Sequence, residues 1–211
     1  MAFVKKPAGA VADHVADQKE RKHKRDCGSL AHQLCDSDPS TRRWAARDLV
    51  ECPDASAVLV RQLRREMDAS VREIILTTLT RQGDEEAVAG LIECLRSEDA
   101  SLRNEAIEAM KLLPAEVAPI MGGLLSDPDP DVRIFAVNVL ESLRHGKVEE
   151  WLKEVIESDP HVNVCATAVD LLGEVGTPFS REALENLKAR FPDQPYISFA
   201  ADIALKRILA N

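Results

Sequence analysis

Apolar residues recur along this chain with the period of a helix. Val117, Ile120, Met121, Leu124 and Leu125 stand at offsets 0, 3, 4, 7 and 8, and Val148, Trp151, Leu152, Val155 and Ile156 repeat the pattern. Such offsets mark one side of an α-helix. Ahead of other apolar runs the chain is heavily punctuated, as in "SDPDPDVRIFAVNVL" at 126–140. An aspartate there accepts from the free amides of the first turn, and the proline that follows has no N–H to lose. The pair Asp129-Pro130 therefore predicts a helix start.

The mark is used five times, at Asp38, Asp68, Asp99, Asp129 and Asp159, separated by 30, 31, 30 and 30 residues, with a looser sixth copy at Asp193. Four residues on, the first four copies carry Arg42, Arg72, Arg103 and Arg133, while the fifth has Asn163 and the sixth Ile197. Seven residues on stand Ala45, Ile75, Ala106, Ala136, Ala166 and Ala200, small or β-branched as close helix contact requires. After each first helix a short break leads to a second amphipathic segment. A helix pair of about 30 residues cannot keep its apolar face from water alone, so neighbouring pairs must stack. The predicted fold class is all-α: an α-solenoid of about five to six antiparallel helix pairs, over residues 27–211. Residues 1–26 are expected to form a basic N-terminal tail or arm.

The recurring D-P-x-V-R, followed by A-x-x-L, a Gly-containing turn and a second helix, resembles the HEAT repeat. The short period is similar to its phycobilin-lyase-like subtype. "AVDLLGEVG" at 168–176 matches the family's A-x-x-L-G-x-x-G turn, and its distance from Asp159 suggests an offset of about two residues in the fifth copy. The resemblance implies that the arginines and cap aspartates join neighbouring repeats. It also implies that the second helices line a concave side, offering Arg61, Arg64 and Arg65 at one end and Glu86, Glu93, Glu149, Glu150, Glu154 and Glu157 further along.

Composition agrees with helices. Hydrophobic residues make up 45% of the 211, but only eight are aromatic, which favours close helix packing over a sheet. The start carries no apolar stretch of signal-peptide length, and no segment is apolar for long enough to span a bilayer. A cytoplasmic protein with no membrane association is expected. Five scattered cysteines, Cys27, Cys35, Cys52, Cys94 and Cys165, read as reduced thiols.

Net charge is −9, divided unevenly: residues 1–81 hold 15 basic and 12 acidic side chains, residues 82–211 hold 12 and 24. A groove basic at one end and acidic at the other would hold a partner in one direction. Arg61, Arg64, Arg65, Glu93, Glu150 and Glu154 are the candidate partner-binding residues. "KERKHKR" at 19–25 is a further basic stretch, suited to an acidic partner, to nucleic acid or to the chain's own acidic repeats.

Catalytic signatures are missing from the sequence. "MGGLL" at 121–125 lacks the Lys-Ser/Thr of a phosphate loop, and Gly122 and Gly123 read instead as positions of close packing. Within "CGSLAHQLC", Cys27 and Cys35 would lie about 12 Å apart on a continuous helix, too far to share one ion with His32. His14, His23, His145 and His161 share no spacing; His145 suits a helix C-terminus. No catalytic residue, cofactor or metal is therefore expected. The expected function is a non-catalytic interaction module, a scaffold, assembly or regulatory factor that binds another protein along the solenoid. The alternative, implied by resemblance alone, is a chromophore lyase or a cofactor or metallocluster maturation factor. Nucleic-acid binding, as in HEAT-like glycosylases, is disfavoured because the acidic half would repel phosphate.

Overall fold

The computed structural model describes residues 26–143 and 145–210, and every regular element within them is helical. In chain order these are α1 (Cys27–Gln33), α2 (Pro39–Asp48), α3 (Ser56–Leu63), α4 (Ala69–Gln82), α5 (Glu85–Cys94), α6 (Ala100–Lys111), α7 (Pro114–Val117), α8 (Met121–Leu125), α9 (Pro130–Leu140), α10 (Val148–Ser158), α11 (Val162–Val175), α12 (Arg181–Arg190) and α13 (Pro195–Ala210). Short 3-10 turns extend α2, join α7 to α8 and precede α12. Pro119 stands in the turn that breaks the third second-helix in two.

First helices pack in the series α2, α4, α6, α9, α11, α13, and second helices in the series α3, α5, α7–α8, α10, α12. Each substantial helix contact joins neighbours within or between adjacent pairs. One apolar core follows this stack without interruption from Leu30 to Ile208. The solenoid is thus held by burial passed from pair to pair.

Four of the five aspartates cap as the sequence predicts. Asp38 accepts from the Thr41 amide at 2.9 Å, Asp68 from Ser70 at 2.9 Å, Asp99 from Ser101 at 2.8 Å and Asp129 from Asp131 at 2.9 Å. The fifth does not. The helix there begins at Val162 with His161 in the cap position, and Asp159 lies two residues earlier, buried. Fully buried Ala168, rather than half-buried Ala166, then takes the close-contact position seven residues after the cap. The sixth helix likewise starts after Gln194, one residue beyond Asp193.

Asp159 matches another position, two residues before each cap. There Asp36, Glu66, Ser97, Asp127 and Asp159 each accept the cap residue's own N–H, at 2.8 to 3.1 Å. This position, more than the cap, receives the recurring arginines. Arg42 forks onto Glu66 at 2.6 and 2.8 Å, and Arg133 onto Asp159 at 2.6 and 3.0 Å. Arg72 finds Ser97 without a carboxylate and goes to Glu105 and Asp99 instead. Arg103 lies over the Phe135 ring. Arg42, Arg103 and Arg133 also donate to the carbonyl six residues behind them, and Cys165 makes the same contact in the fifth pair.

Two expectations are corrected. Cys27 and Cys52 are not free thiols but form a disulfide, with Cα atoms 5.7 Å apart; Cys35, Cys94 and Cys165 are free. The antiparallel packing of α1 on α2 brings the start of one to the end of the other, which spacing along a single helix cannot reveal. Gly122 and Gly123 are exposed, and a Cβ on either would meet nothing within 4 Å. Close approach happens at Gly90, where a Cβ would fall 2.2 Å from a methyl of Val60 as α5 crosses α3.

Candidate partner-binding face

All six charged residues singled out above are exposed. Arg61 lies on α3, Arg64 caps its C-terminus and Arg65 follows; Glu93 lies on α5; Glu150 and Glu154 lie one turn apart on α10. They therefore lie along the series of second helices.

Their local chemistry differs. Arg64 and Glu93 form an ion pair between α3 and α5, each half exposed, so they neutralise each other. Arg65 turns towards the first repeat, donating to Gln62 Oε1 at 2.8 Å and lying 2.9 Å from Cys35 Sγ. Arg61 has no partner among the described residues. Beneath this cluster Glu66 is buried. Burial would raise its pKa, but hydrogen bonds from Arg42, Gln62 and the Asp68 amide hold it at about 2.

At the other end Glu150 and Glu154 line an open cleft of about 460 Å³ with Glu149, Lys153, Glu157 and Phe179. Phe179 is 64% exposed, with the Lys153 ammonium 4.5 Å above its ring. Lys153 also pairs with Glu157 at 3.5 Å. Glu149 turns aside to accept from the Thr177 amide and the Ser180 hydroxyl, both at 2.7 Å, which fastens the start of α12. The α3 arginines and the α10 glutamates are not brought together; α5 and α7–α8 separate them.

The disulfide takes Cys27 out of the Cys27, His32, Cys35 set, and among the described residues no three His, Cys, Asp or Glu side chains converge. His145 stacks on Trp151 at 5.0 Å and accepts from the Lys147 amide. Burial pushes the Cys94 thiol up to about 11, which keeps it protonated. His14, His23 and "KERKHKR" lie outside the described residues.

The opposite face holds a feature the sequence reading missed. Between first helices α4 and α6 runs a mainly apolar groove of about 790 Å³, formed by Leu76, Thr77, Thr80, Ala109 and Leu112 and edged by Glu73, Glu105 and Glu108. Leu112 is 71% exposed while its neighbour Leu113 is buried. The only sequence signal is "KLLP", two leucines where Pro114 ends the helical path.

The profile of HEAT repeats matches residues 28–111 and 117–206. The chain belongs to the HEAT-repeat family. HEAT repeats are in general protein-interaction modules. The archaeal HEAT-like repeats protein from Thermococcus onnurineus NA1 is similar at 16% identity and a TM-score of 0.48, over 96% of this chain and 94% of that one. The complex of CpcE and CpcF of phycocyanin lyase from Nostoc sp. is similar at 20% identity and a TM-score of 0.38, over 100% and 92%. A designed armadillo repeat protein is similar at 14% identity and a TM-score of 0.40, over 87% and 100%. A search of curated protein sequences finds no significant match for this HEAT-repeat chain. Among its described residues, no helix is long and apolar enough to cross a membrane.

Proposed function

We propose that this HEAT-repeat chain is a non-catalytic interaction module that holds a protein partner along its second-helix face. Arg61, Arg64, Arg65 and Glu93 meet one end of that partner, and Glu150 and Glu154 meet the other. The observation that carries the reading is the placement of these six exposed residues in series on α3 and the turn that ends it, α5 and α10, backed by a continuous core. Charges at the rim of an interface act mainly on encounter rate and orientation. A partner with an acidic segment followed by a basic one fits this polarity, and Phe179 offers the basic segment an apolar footing beside Glu150 and Glu154. The neutralised Arg64–Glu93 pair leaves Arg61 as the arginine most available to a partner.

The partner is first recovered from an extract of the native host and made pure. Binding is then compared between wild type and Arg61→Glu, alone and with Arg65→Glu. A fall in association rate of about tenfold, lessened by salt, is expected with the helical CD spectrum unchanged. An unaltered rate would remove the α3 end from the interface.

A further inference from the structure

We infer that the grooves on either side of α10 hold an extended, proline-containing segment of the partner protein, with a proline against Trp151 and an arginine or lysine three residues away against Glu150 and Glu154. The inference rests on the partner-binding reading of the second-helix face and names the chemistry that its α10 end takes.

Three observations converge. The first is the make-up of the groove between α7–α8 and α10, an open space of about 730 Å³. On one side stand Pro114, Ala115, Pro119 and Gly122, all exposed and none with a side-chain donor. Gly122 meets nothing within 4 Å in the fold itself, so its missing side chain keeps the groove open. The facing side is aromatic: His145 stacks on half-buried Trp151 with ring centroids 5.0 Å apart and planes 12° apart. The indole N–H of Trp151 has no hydrogen-bond partner among the described residues. A polyproline II segment packs its rings on aromatic walls and leaves its carbonyls free to accept such an N–H. In an α-helix those carbonyls are already taken.

The second is charge. Lys147 is the charged residue of this groove's lining, which disfavours a second cation there. On the far side of α10 the balance reverses. Glu150 and Glu154 are exposed, one turn apart, and without side-chain partners among the described residues. The other carboxylates of that cleft are occupied: Glu149 accepts from Thr177 and Ser180, and Glu157 pairs with Lys153. The two free ones share the cleft with Phe179, 64% exposed. Lys153 lies over the Phe179 ring at 4.5 Å, and the rest of the ring's exposed surface is open to an incoming side chain. An arginine or lysine fits, its apolar stem on the ring and its charged head at Glu150 and Glu154.

The third is spacing. A single helix, α10, separates the two grooves, and neighbouring helices in contact lie about 8–10 Å apart. A polyproline II segment has three residues to the turn and rises about 3.1 Å per residue, so side chains three apart point the same way at about 9 Å. One turn of the segment therefore spans α10, with the proline on one side and the basic residue on the other.

Fluorescence anisotropy on the full chain tests this, with sedimentation run on the same samples. The probe is a labelled ten-residue peptide of proline and alanine with one arginine three residues after a proline, used beside its reversed sequence. At least one of the two is expected to bind. Gly122→Gln fills the groove from an exposed position and should weaken binding about tenfold, and Glu150→Gln with Glu154→Gln about fivefold, with the helical CD signal kept. Replacing every proline of the probe by glycine keeps its charge, loses the preformed turn and should weaken binding about tenfold. No binding of either probe at about 1 mM, or binding indifferent to Gly122→Gln, would overturn the inference, as would equal binding of a probe with glutamate for arginine. A dimer dissociated by Gly122→Gln would give the groove to a second copy and overturn it too. Probes that fail while Arg61→Glu still slows capture of the native partner would sink this inference and leave the partner-binding reading standing.

Discussion

Replacing Glu66 with glutamine should cost this protein about 3 kcal/mol at pH 7, from the shift worked below. Glu66 is 4% exposed and its carboxylate accepts four hydrogen bonds: two from Arg42 at 2.6 and 2.8 Å, one from Gln62 at 2.7 Å and one from the Asp68 amide at 3.0 Å. Glutamine keeps the shape but turns an NH2 group towards donors and leaves the Arg42 guanidinium, itself largely covered, without a counter-charge. The magnitude follows from a folded pKa of about 2 against an ordinary 4.5; each unit is worth about 1.4 kcal/mol. Because the folded pKa is depressed, the stabilisation is fully present above pH 4.5 and is lost as pH falls through about 2. Urea unfolding followed by CD at a series of pH values measures it. At pH 7 the variant's melting temperature should fall by roughly 6–12 °C, and the gap to wild type should shrink below about 1 kcal/mol by pH 2. A gap under about 1 kcal/mol at pH 7, or one that is the same at pH 7 and pH 2, would refute the reasoning.

Two further perturbations probe the stack. Gly90→Ala puts a methyl on Val60 and should destabilise by about 1–3 kcal/mol, whereas Gly122→Ala, facing open space on α8, should stabilise by up to about 1 kcal/mol; urea midpoints decide both. Cys27→Ser, or reduction of the wild type, should leave the far repeats unchanged and speed amide exchange in α1, whose Leu30, with Leu34 at its C-terminal cap, is held partly by the bond to Cys52. Equal exchange in α1 with and without reductant would show that the bond contributes nothing to its docking.

The repeat was legible because its signals are local. A cap aspartate, an arginine one turn on and a small or β-branched residue two turns on need only a few residues of context, and four of the six copies carry all three. Asp159 shows the limit: an aspartate before a proline looks like a cap, yet two extra residues shift it to the position where Arg133 reaches from the preceding pair. Only the partner across the repeat boundary distinguishes the two roles. The same holds for Cys27 with Cys52, and for Gly90 against Val60, whose meaning comes from contacts 25 and 30 residues away. Gly122 and Gly123 fall in an amphipathic segment, but on its outward side. Of the candidate face, exposure was legible from helical period, while the cancelling of Arg64 by Glu93 and the turning aside of Glu149 were not. The α4–α6 groove left almost no trace, since it arises from the spacing of two helices whose residues are unremarkable one by one.

Distances between spin labels on the second helices test the serial stack most directly. With Cys35 replaced by serine, labels are placed at Arg61, paired in turn with Glu93, Glu154 and Glu185, on α3, α5, α10 and α12. A stack predicts distances that lengthen with each helix passed, by about 8–10 Å per neighbour, so that the 61–154 pair is far longer than the 61–93 pair. Equal distances for the near and far pairs would contradict a solenoid and place the hairpins in a closed bundle.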